Sequence, residues 1–276
     1  MNITELLKLR GLDEHASVKL VRHQDKRVDL YELVLSGLIE TYQACQSKPV
    51  LECDYMASFL GLPRGQTRFL GLYRVKGRAT VADVQLPENY TFSQNPEDLF
   101  YILEKVPGFE DLEQRVVIDW GGSTRSWHQW LSPKEVVQVL PKGFARPFPG
   151  YLDFILPHQE LVQIIHNPES NRAWHTALTS VAGVYLIVQA STGAQYVGSA
   201  YGAKGILGRW ATYVISGHGG NERLRALHST DPHAYRGFNY SVLRTLPKSL
   251  TAREVIEYES SYKTKLGTRA FGLNAN

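Results

Sequence analysis

The sequence predicts an α+β protein of two domains. Its first 48 residues show helical spacing of apolar side chains, the segment after Pro49 contains short strand-like runs, and strands and helices alternate beyond residue 180. The segment 141–150 contains three prolines and two glycines, which is typical of a linker. A chain of 276 residues has room for two domains of ordinary size. We therefore expect domains over residues 1–145 and 150–276.

The first predicted domain begins with helical segments. Apolar residues recur three or four apart in two runs, which are Leu6, Leu9 and Leu12, and then Leu30, Leu33, Val34, Leu38 and Tyr42. The strand-like segments that follow are Val50–Leu60, Thr67–Val75, Thr80–Val84, Arg115–Trp120 and Glu135–Leu140. One helix is expected among them, over Pro96–Val106. A helical start followed by short strands predicts a mixed helix and strand domain, of which a small barrel is one form.

The second predicted domain alternates strands and helices. The expected helices cover residues 157–166, 204–216, 220–228 and 251–266, and the expected strands cover residues 182–189, 194–198 and 237–245. Ser191-Thr192-Gly193 lies between the first two strands and predicts a hairpin turn. Together these elements predict a three-stranded sheet flanked by helices.

Composition and cysteine usage limit the class of protein. The chain is 43% hydrophobic and 21% charged, as soluble globular proteins are, and no apolar run reaches membrane-spanning length. Residues 1–15 lack the continuous apolar stretch of a secretion signal, so we expect a cytoplasmic protein with no membrane partner. Cys45 and Cys53 lack neighbours at zinc-ligand spacing and are interpreted as structural thiols.

The charge is unevenly placed along the chain. Residues 181–276 contain 11 Lys and Arg against 5 Asp and Glu, a balance of +6, whereas residues 1–180 contain 19 against 22, a balance of −3. A surplus of Lys and Arg is what a nucleic-acid-binding surface needs, because bound cations displace condensed counterions. A balance of +6 over this length also lies within ordinary scatter.

Two phrases that combine an aromatic residue with glycine lie on the strands of the predicted hairpin. They are Gly183-Val184-Tyr185 and Tyr196-Val197-Gly198, and the hairpin brings their tyrosines close together. The elements that follow add further polar side chains, which are Arg209, Tyr213, Glu259 and Asn274. Hydrolysis of a phosphodiester needs a positioned water, charge stabilisation at phosphorus and relief of charge on the leaving oxygen. Phenols, a guanidinium, a carboxylate and an amide suit these requirements.

This arrangement resembles the GIY-YIG endonuclease family from about residue 157 to residue 276. The phrases that carry the resemblance, in the family's order, are GVYLI, QYVGSA, GILGRWATYV, GHGGN and ESSYKTKLGTRAFGLN. Val184 and Val197 stand where the family name has isoleucine, and both keep a β-branched strand residue. The resemblance implies a DNA endonuclease that uses one divalent metal ion, Mg²⁺ or Mn²⁺.

The resemblance also implies individual roles. The hydroxyls of Tyr185 and Tyr196 would point into a cleft, with Tyr185 positioning or deprotonating the attacking water. A phenol is a poor base at neutral pH unless a nearby cation lowers its pKa, so this role requires a cation close by. Arg209 would stabilise the developing charge, and Tyr213 stands where the family often has histidine or tyrosine. Glu259 would be the single metal ligand.

Glu259 also has a physical argument of its own. The predicted helix begins with the capping box Thr251-x-x-Glu254. At about 100° per residue, Glu259 lies on its inward face and Glu257 on the opposite side. The apolar stripe of that inward face comprises Val255, Tyr258, Tyr262 and Leu266. A carboxylate turned inward needs a metal ion or a paired cation, so the helix alone leaves open a buried pair with Arg209.

The remaining site residues have both a functional and a structural interpretation. Asn274 is expected to support the site by hydrogen bonds near Glu259. His218 would touch phosphate, and Lys204 would assist the chemistry or lie in solvent. A basic strip beyond Glu259 would contact DNA phosphates without reading sequence, or form a solvated helix face, and it comprises Lys263, Lys265 and Arg269. Strand tyrosines are commonly core residues, and a lone arginine is commonly exposed.

The first domain carries two β phrases, CDYMASFLG and TRFLGLYRVKG, that resemble the barrels of the PUA-like superfamily. Some members of that superfamily hold a flipped or modified base in an aromatic pocket. Candidate lining residues of such a pocket are Asp119, Trp120, Trp127 and Trp130. The three tryptophans also suit core packing. We expect this domain to supply target recognition, with partner binding or a scaffold role as alternatives.

These observations predict a metal-dependent DNA endonuclease. No feature of a repair complex or an intron-homing enzyme is visible, which favours a restriction or modification-dependent role in defence. Cleavage of both strands needs two active sites or a repositioning step, so a homodimer is one possible form. The alternatives are a structure-selective or single-strand repair nuclease, and a nucleic-acid-binding protein whose nuclease centre has decayed.

Overall fold

The computed structural model describes residues 1–25, 27–88, 90, 95–122 and 126–275. The chain forms two compact units, Met1–Lys142 and Gly143–Asn276, and the division lies within the predicted linker segment. Each unit combines helices with a sheet of its own, so the predicted α+β class is confirmed. Among the described residues, no helix is both long enough and apolar enough to span a membrane.

The first unit begins with short helices and continues mostly as strands. Its helices are α1 (Ile3–Leu9), α2 (Leu30–Leu35) and α3 (Ile39–Ala44). Its strands are β1 (Val18–His23), β2 (Cys45–Gln46), β3 (Tyr55–Gly61), β4 (Gln66–Thr80), β5 (Leu99–Lys105), β6 (Val116–Asp119), β7 (His128–Trp130) and β8 (Val136–Val139). Short 3₁₀ turns cover Pro63–Gly65 and Val81–Asp83.

One eight-stranded sheet organises the first unit and curls into a half-barrel. The strand order is β2-β5-β4-β3-β1-β7, and β6 pairs with both β4 and β8. Strand β1 runs parallel to β3, and the other described pairs are antiparallel. The 15-residue strand β4 pairs with β3, β5 and β6 along its length, which lets one sheet curl back over its own apolar face.

The predicted helix over residues 96–106 is wrong, because Leu99–Lys105 forms β5. This segment pairs with β4, and its side chains alternate, with Tyr101 buried and Ile102 exposed. Proline followed by acidic residues at 96–98 is typical of a helix start. This local signal favoured a helix. The apolar run that follows is short, and periodicity alone does not distinguish a strand from a helix in such a run.

The structure also places a strand inside the region that was predicted to be helical. Val18–His23 forms β1, which is largely buried and pairs with β3. Leu9 was expected on an inward helix face but is exposed, because α1 ends at that residue. Both cysteines are free thiols, as predicted.

The second unit places helices around a four-stranded antiparallel sheet. Its strands are β9 (Leu156–Pro157), β10 (Ala182–Gln189), β11 (Gln195–Ala200) and β12 (Phe238–Leu246). Its helices are α4 (His158–His166), α5 (Arg172–Ser180), α6 (Gly205–Ser216), α7 (Glu222–Thr230), α8 (Ala252–Leu266) and α9 (Thr268–Phe271), with a 3₁₀ turn at Ala234–Gly237. The strand order is β11-β10-β12-β9.

Most predicted elements of the second unit are confirmed, with two additions. The three predicted strands are present, but β9 adds a fourth strand at the edge beside β12. Helix α5 was not predicted, although its Trp174 and Leu178 are buried in the core. The predicted hairpin joins β10 to β11, and Gly193 takes a φ of 71° in its turn, a conformation that favours glycine.

An aromatic core packs against one face of this sheet. Its largest fully buried members come from β10, β12, α5 and α6, and they are Tyr185, Trp210, Tyr213, Tyr240 and Trp174. Helix α8 packs on the opposite face, where Val255 is buried against Val184 and Val197. The sheet is therefore covered on both faces, by α6 on one side and α8 on the other.

Candidate active site

The two motif tyrosines lie on the same face of the β10–β11 hairpin. Tyr185 pairs with Gly198 across the two strands, and Tyr196 lies two residues before Gly198 on β11. Residues two apart in a strand share a face, so both rings point towards α6. The hairpin thus places the two phenols on one face, as the sequence predicted.

Gly198 has a steric reason for being glycine. A Cβ atom at position 198 would lie 2.4 Å from the hydroxyl oxygen of Tyr185. No side chain fits at this position unless the phenol is displaced. The ring of Tyr185 is fully buried and makes edge contacts with the rings of Trp210 and Tyr213. The second glycine phrase therefore fixes where the phenol of the first phrase can lie.

Replacing Gly198 with alanine is expected to destabilise the protein and displace Tyr185. Overpacking a buried site costs roughly 1–3 kcal/mol of unfolding free energy. Thermal or denaturant unfolding measures this effect. Gly193→Ala in the exposed hairpin turn is a control that strains the backbone without touching Tyr185. An alanine at 198 that unfolds like the parent chain would contradict the steric argument.

Helix α6 contributes Arg209 and Tyr213, which are four residues apart and share one helix face. The hydroxyls of Tyr213 and Tyr185 lie 2.9 Å apart and are hydrogen-bonded. Arg209 donates from Nε to the Tyr185 hydroxyl at 3.3 Å and from Nη2 to the Tyr213 hydroxyl at 3.4 Å. Its guanidinium carbon also lies 5.1 Å from the centre of the Tyr213 ring. The two phenols therefore hold the guanidinium in one orientation.

Burial is the main influence on the pKa values of the two phenols, Tyr185 and Tyr213. It raises the pKa of the Tyr185 phenol above its usual range, and it raises that of Tyr213 as well. A base role for Tyr185 would require a nearby cation that lowers its pKa. Arg209 is close enough to lower this pKa, but its effect is smaller than the increase that burial causes. Burial lowers the pKa of Arg209, yet the surrounding phenols raise it by more, so the guanidinium stays charged.

Glu259 is turned inward from α8, as the helical spacing predicted. Its side chain is 14% exposed, against 67% for Glu257. The capping box that starts the helix is present, with reciprocal hydrogen bonds between Thr251 and Glu254. Leu266 was expected on the same face but is exposed near the end of the helix.

Two side chains hold the carboxylate of Glu259. The hydroxyl of Ser199 on β11 donates to Oε2, and the ammonium of Lys263, one helical turn further along α8, lies 2.6 Å from Oε1. The expected alternative partner of the carboxylate was Arg209, but the observed ion pair is with Lys263. Ser199 was not predicted as a site residue.

A cleft of about 750 Å³ collects most of the predicted site residues. Those that line it are Tyr196, Lys204, Arg209, Glu259, Lys263 and Arg269. Ser199, Tyr201 and Ile256 form further parts of its wall, together with the glycines of the loop before α6. Glu259 is the one carboxylate in this lining among the described residues, whereas the lining includes several basic side chains. The cleft is therefore suited to an anionic ligand.

The other predicted site residues lie outside this lining. Tyr185 and Tyr213 are buried beneath it and reach it through Arg209. His218 accepts a hydrogen bond from the backbone of Gly220 at 3.0 Å. Lys265 is exposed and lies over the ring of Tyr262.

Asn274 supports the site through a strand and not through Glu259. Its side-chain amide is buried, donates to the carbonyl of Val197 at 2.7 Å and accepts from the Val197 N–H at 2.9 Å. The neighbouring Leu273 N–H donates to the carbonyl of Gln195. These bonds cover the outer edge of β11, where Tyr196 and Ser199 are located, and so fix the strand that carries both.

Within the cleft, the described residues offer a cation one carboxylate, that of Glu259, and no larger set of protein ligands. They contain no group of three or more His, Cys, Asp and Glu side chains that could hold a metal ion. Mg²⁺ commonly keeps several waters and binds through one or two carboxylates and a substrate phosphate. Glu259 fits that mode because it lines a cleft of anion-binding character. The ammonium of Lys263, 2.6 Å from Oε1 of Glu259, opposes it.

In the first unit, the tryptophans that were candidates to line an aromatic pocket lie in different environments. Trp120 is fully buried in the core and contacts Phe59, so it is a packing residue. Trp127 and Trp130 are partly exposed, and the ammonium of Lys19 lies 4.7 Å from the centre of the Trp130 ring. A base-binding role of this unit stays a prediction.

Comparison of the sequence with known protein families finds no match, and no curated protein matches it. Two solved structures are similar to part of the chain. The catalytic domain of the homing endonuclease I-TevI is 22% identical, with a TM-score of 0.28, over 34% of this chain and 98% of that one. A mutant of the catalytic domain of the intron endonuclease I-TevI is 21% identical, with a TM-score of 0.28, over 35% and 94%. At this score a common fold is not established.

Proposed function

We propose that the second unit is a metal-dependent DNA endonuclease with the cleft as its active site. The observation that carries the proposal is the placement of Arg209, which two buried phenols hold at a cleft that also contains Glu259. A fixed guanidinium that shares a cleft with a carboxylate and with further basic side chains suits phosphodiester hydrolysis.

Arg209 is the proposed stabiliser of the transition state. In hydrolysis, a water oxygen forms a bond to phosphorus and gives up a proton to solvent, while the bond from phosphorus to the leaving oxygen breaks and that oxygen takes up a proton. The charge that develops is spread over the phosphoryl oxygens. The N–H groups of Arg209 that do not face the phenols would donate to these oxygens. Because Tyr185 and Tyr213 already orient the guanidinium, little reorganisation would be needed as the charge develops.

Of the two motif tyrosines, Tyr196 is the one that lines the cleft, and we assign it the orientation of the attacking water. Tyr185 would act one step further back, by holding Arg209. Its raised pKa suits a neutral hydrogen-bonding group better than a base. Lys204 and Arg269 would bind the phosphates on either side of the scissile bond.

Glu259 is the proposed ligand of Mg²⁺ or Mn²⁺, and Ser199 would fix the orientation of its carboxylate. When bound, the divalent ion would supply positive charge beside the phosphate and the leaving oxygen.

DNA is the proposed substrate because the basic surplus of residues 181–276 coincides with the phrases that resemble the GIY-YIG family. The proposed role is restriction or modification-dependent cleavage in defence, with the first unit selecting the target. Cleavage of both strands would require two copies of the cleft or a repositioning step.

The direct test is incubation of the purified chain with supercoiled plasmid and Mg²⁺ or Mn²⁺. Nicked or linear product that disappears when the cation is chelated is the expected result. A chain that binds DNA but leaves the plasmid supercoiled with both cations would contradict the proposal and identify a binding protein. Duplex, branched and single-stranded substrates, and phage DNA with and without modified bases, then separate a restriction role from a repair role.

A further inference from the structure

Lys263 differs from the other basic residues near the cleft because it is almost fully buried. Its side chain is 5% exposed, and its ammonium lies 2.6 Å from Oε1 of Glu259. Lys265, two residues further along α8, is exposed. The basic strip that the sequence predicted as one surface therefore contains two environments. Lys265 is a surface charge, whereas Lys263 is a partner of the candidate metal ligand.

The ion pair occupies the place where a divalent cation would bind. Ser199 engages Oε2 of Glu259, and Lys263 engages Oε1. A metal ion at either oxygen would lie within a few ångströms of the ammonium, and like charges at that distance repel. The pair is largely buried, so solvent and salt screen this repulsion less than they would at an exposed site.

We propose that Lys263 is a built-in competitor for the divalent cation at Glu259. In the free protein the ammonium neutralises the carboxylate, and the cation binds only when the ammonium leaves Oε1. The inference rests on the proposed function in one respect, namely that Glu259 is the cation ligand. Lys263 is thus a positioning residue that controls access to the metal site.

The cleft itself offers Lys263 another partner. Lys263 lines the same cleft as Arg209 and Arg269, so a DNA phosphate bound there would attract its ammonium. A phosphate that draws Lys263 from Glu259 would free the carboxylate for the cation. Cation binding and DNA binding would then strengthen each other, and the metal site would form fully only on substrate.

The experiment measures Mn²⁺ binding to the full chain without DNA, by the electron paramagnetic resonance signal of free Mn²⁺ at neutral pH. Lys263→Met, which keeps the length of the side chain and removes its charge, is expected to bind Mn²⁺ at least about tenfold more tightly than the parent chain. Lys265→Met removes the same charge from the exposed position and is expected to bind Mn²⁺ as the parent chain does. Mn²⁺ should also raise the melting temperature of Lys263→Met more than that of the parent.

Equal or weaker Mn²⁺ binding by Lys263→Met would overturn the competition. Lys263→Gln provides a second variant if the methionine variant does not fold, since it keeps a hydrogen-bond donor for Glu259, and the same gain in affinity is expected of it. Glu259→Gln separates the two levels of the argument. If it loses Mn²⁺ binding while Lys263→Met matches the parent, only the role of Lys263 fails. If it binds Mn²⁺ like the parent chain, the metal assignment of the proposed function fails instead.

Discussion

Replacing Arg209 with alanine is expected to slow DNA cleavage at saturating DNA by at least about 10²-fold, with a much smaller loss of affinity. Its guanidinium is half-buried and is held by the hydroxyls of Tyr185 and Tyr213 at a fixed place in the cleft. A donor fixed in this way acts mainly on the charge that develops in the transition state. Single-turnover cleavage and fluorescence anisotropy on the same DNA measure the two effects separately.

Two further variants sharpen this prediction. Arg209→Lys keeps the positive charge but loses the planar fork, so we expect it to restore affinity and to remain slow. Arg253→Ala removes an arginine that is 90% exposed on α8 and does not line the cleft, and it controls for the general loss of positive charge. A variant at position 209 that loses only affinity, with an unchanged rate on bound DNA, would contradict the assignment of Arg209 to the transition state.

The elements that carry the site were predictable because they have strong local signals. The β10–β11 hairpin combines strand alternation with a glycine-containing turn, and α8 begins with a capping box. By contrast, β5 and β1 acquire their structure from partners distant in sequence. Strand β5 pairs with β4, and β1 pairs in parallel with β3. A short apolar run gives no local evidence of such pairing, so tertiary context decides its conformation.

The site was predictable to a similar extent. Helical spacing was sufficient to predict that Glu259 faces inward and that Arg209 and Tyr213 share one helix face. The same spacing also indicated the ion pair, because Lys263 is four residues after Glu259 and therefore shares its helix face. Lys263 was instead interpreted as a DNA contact or as part of a solvated helix face. The contact of Ser199 with Glu259 depends on how β11 packs against α8, which no local pattern specifies. The bond of Asn274 to Val197 likewise depends on the path of the last residues along the edge of β11.

Replacing Glu259 with alanine is expected to reduce cleavage by at least about 10³-fold, since the cleft loses the one carboxylate that its described lining contains. DNA binding should be retained or become tighter, because the change removes a negative charge and frees the ammonium of Lys263 to face phosphate. Plasmid cleavage and anisotropy provide the two measurements. Glu257→Ala, at the exposed position two residues earlier, is the matched control and should cleave normally.

Loss of stability has to be separated from loss of catalysis in this experiment. Removing one partner of a buried ion pair leaves the other charge uncompensated and costs roughly 3–5 kcal/mol, so Glu259→Ala should also melt at a lower temperature. The double variant Glu259→Gln with Lys263→Met removes both charges and should recover most of that stability. If the double variant is as stable as the parent chain but still does not cleave, the defect lies in the chemistry of the cleft. If it cleaves at the parental rate, Glu259 is a structural member of an ion pair and the divalent cation must bind elsewhere.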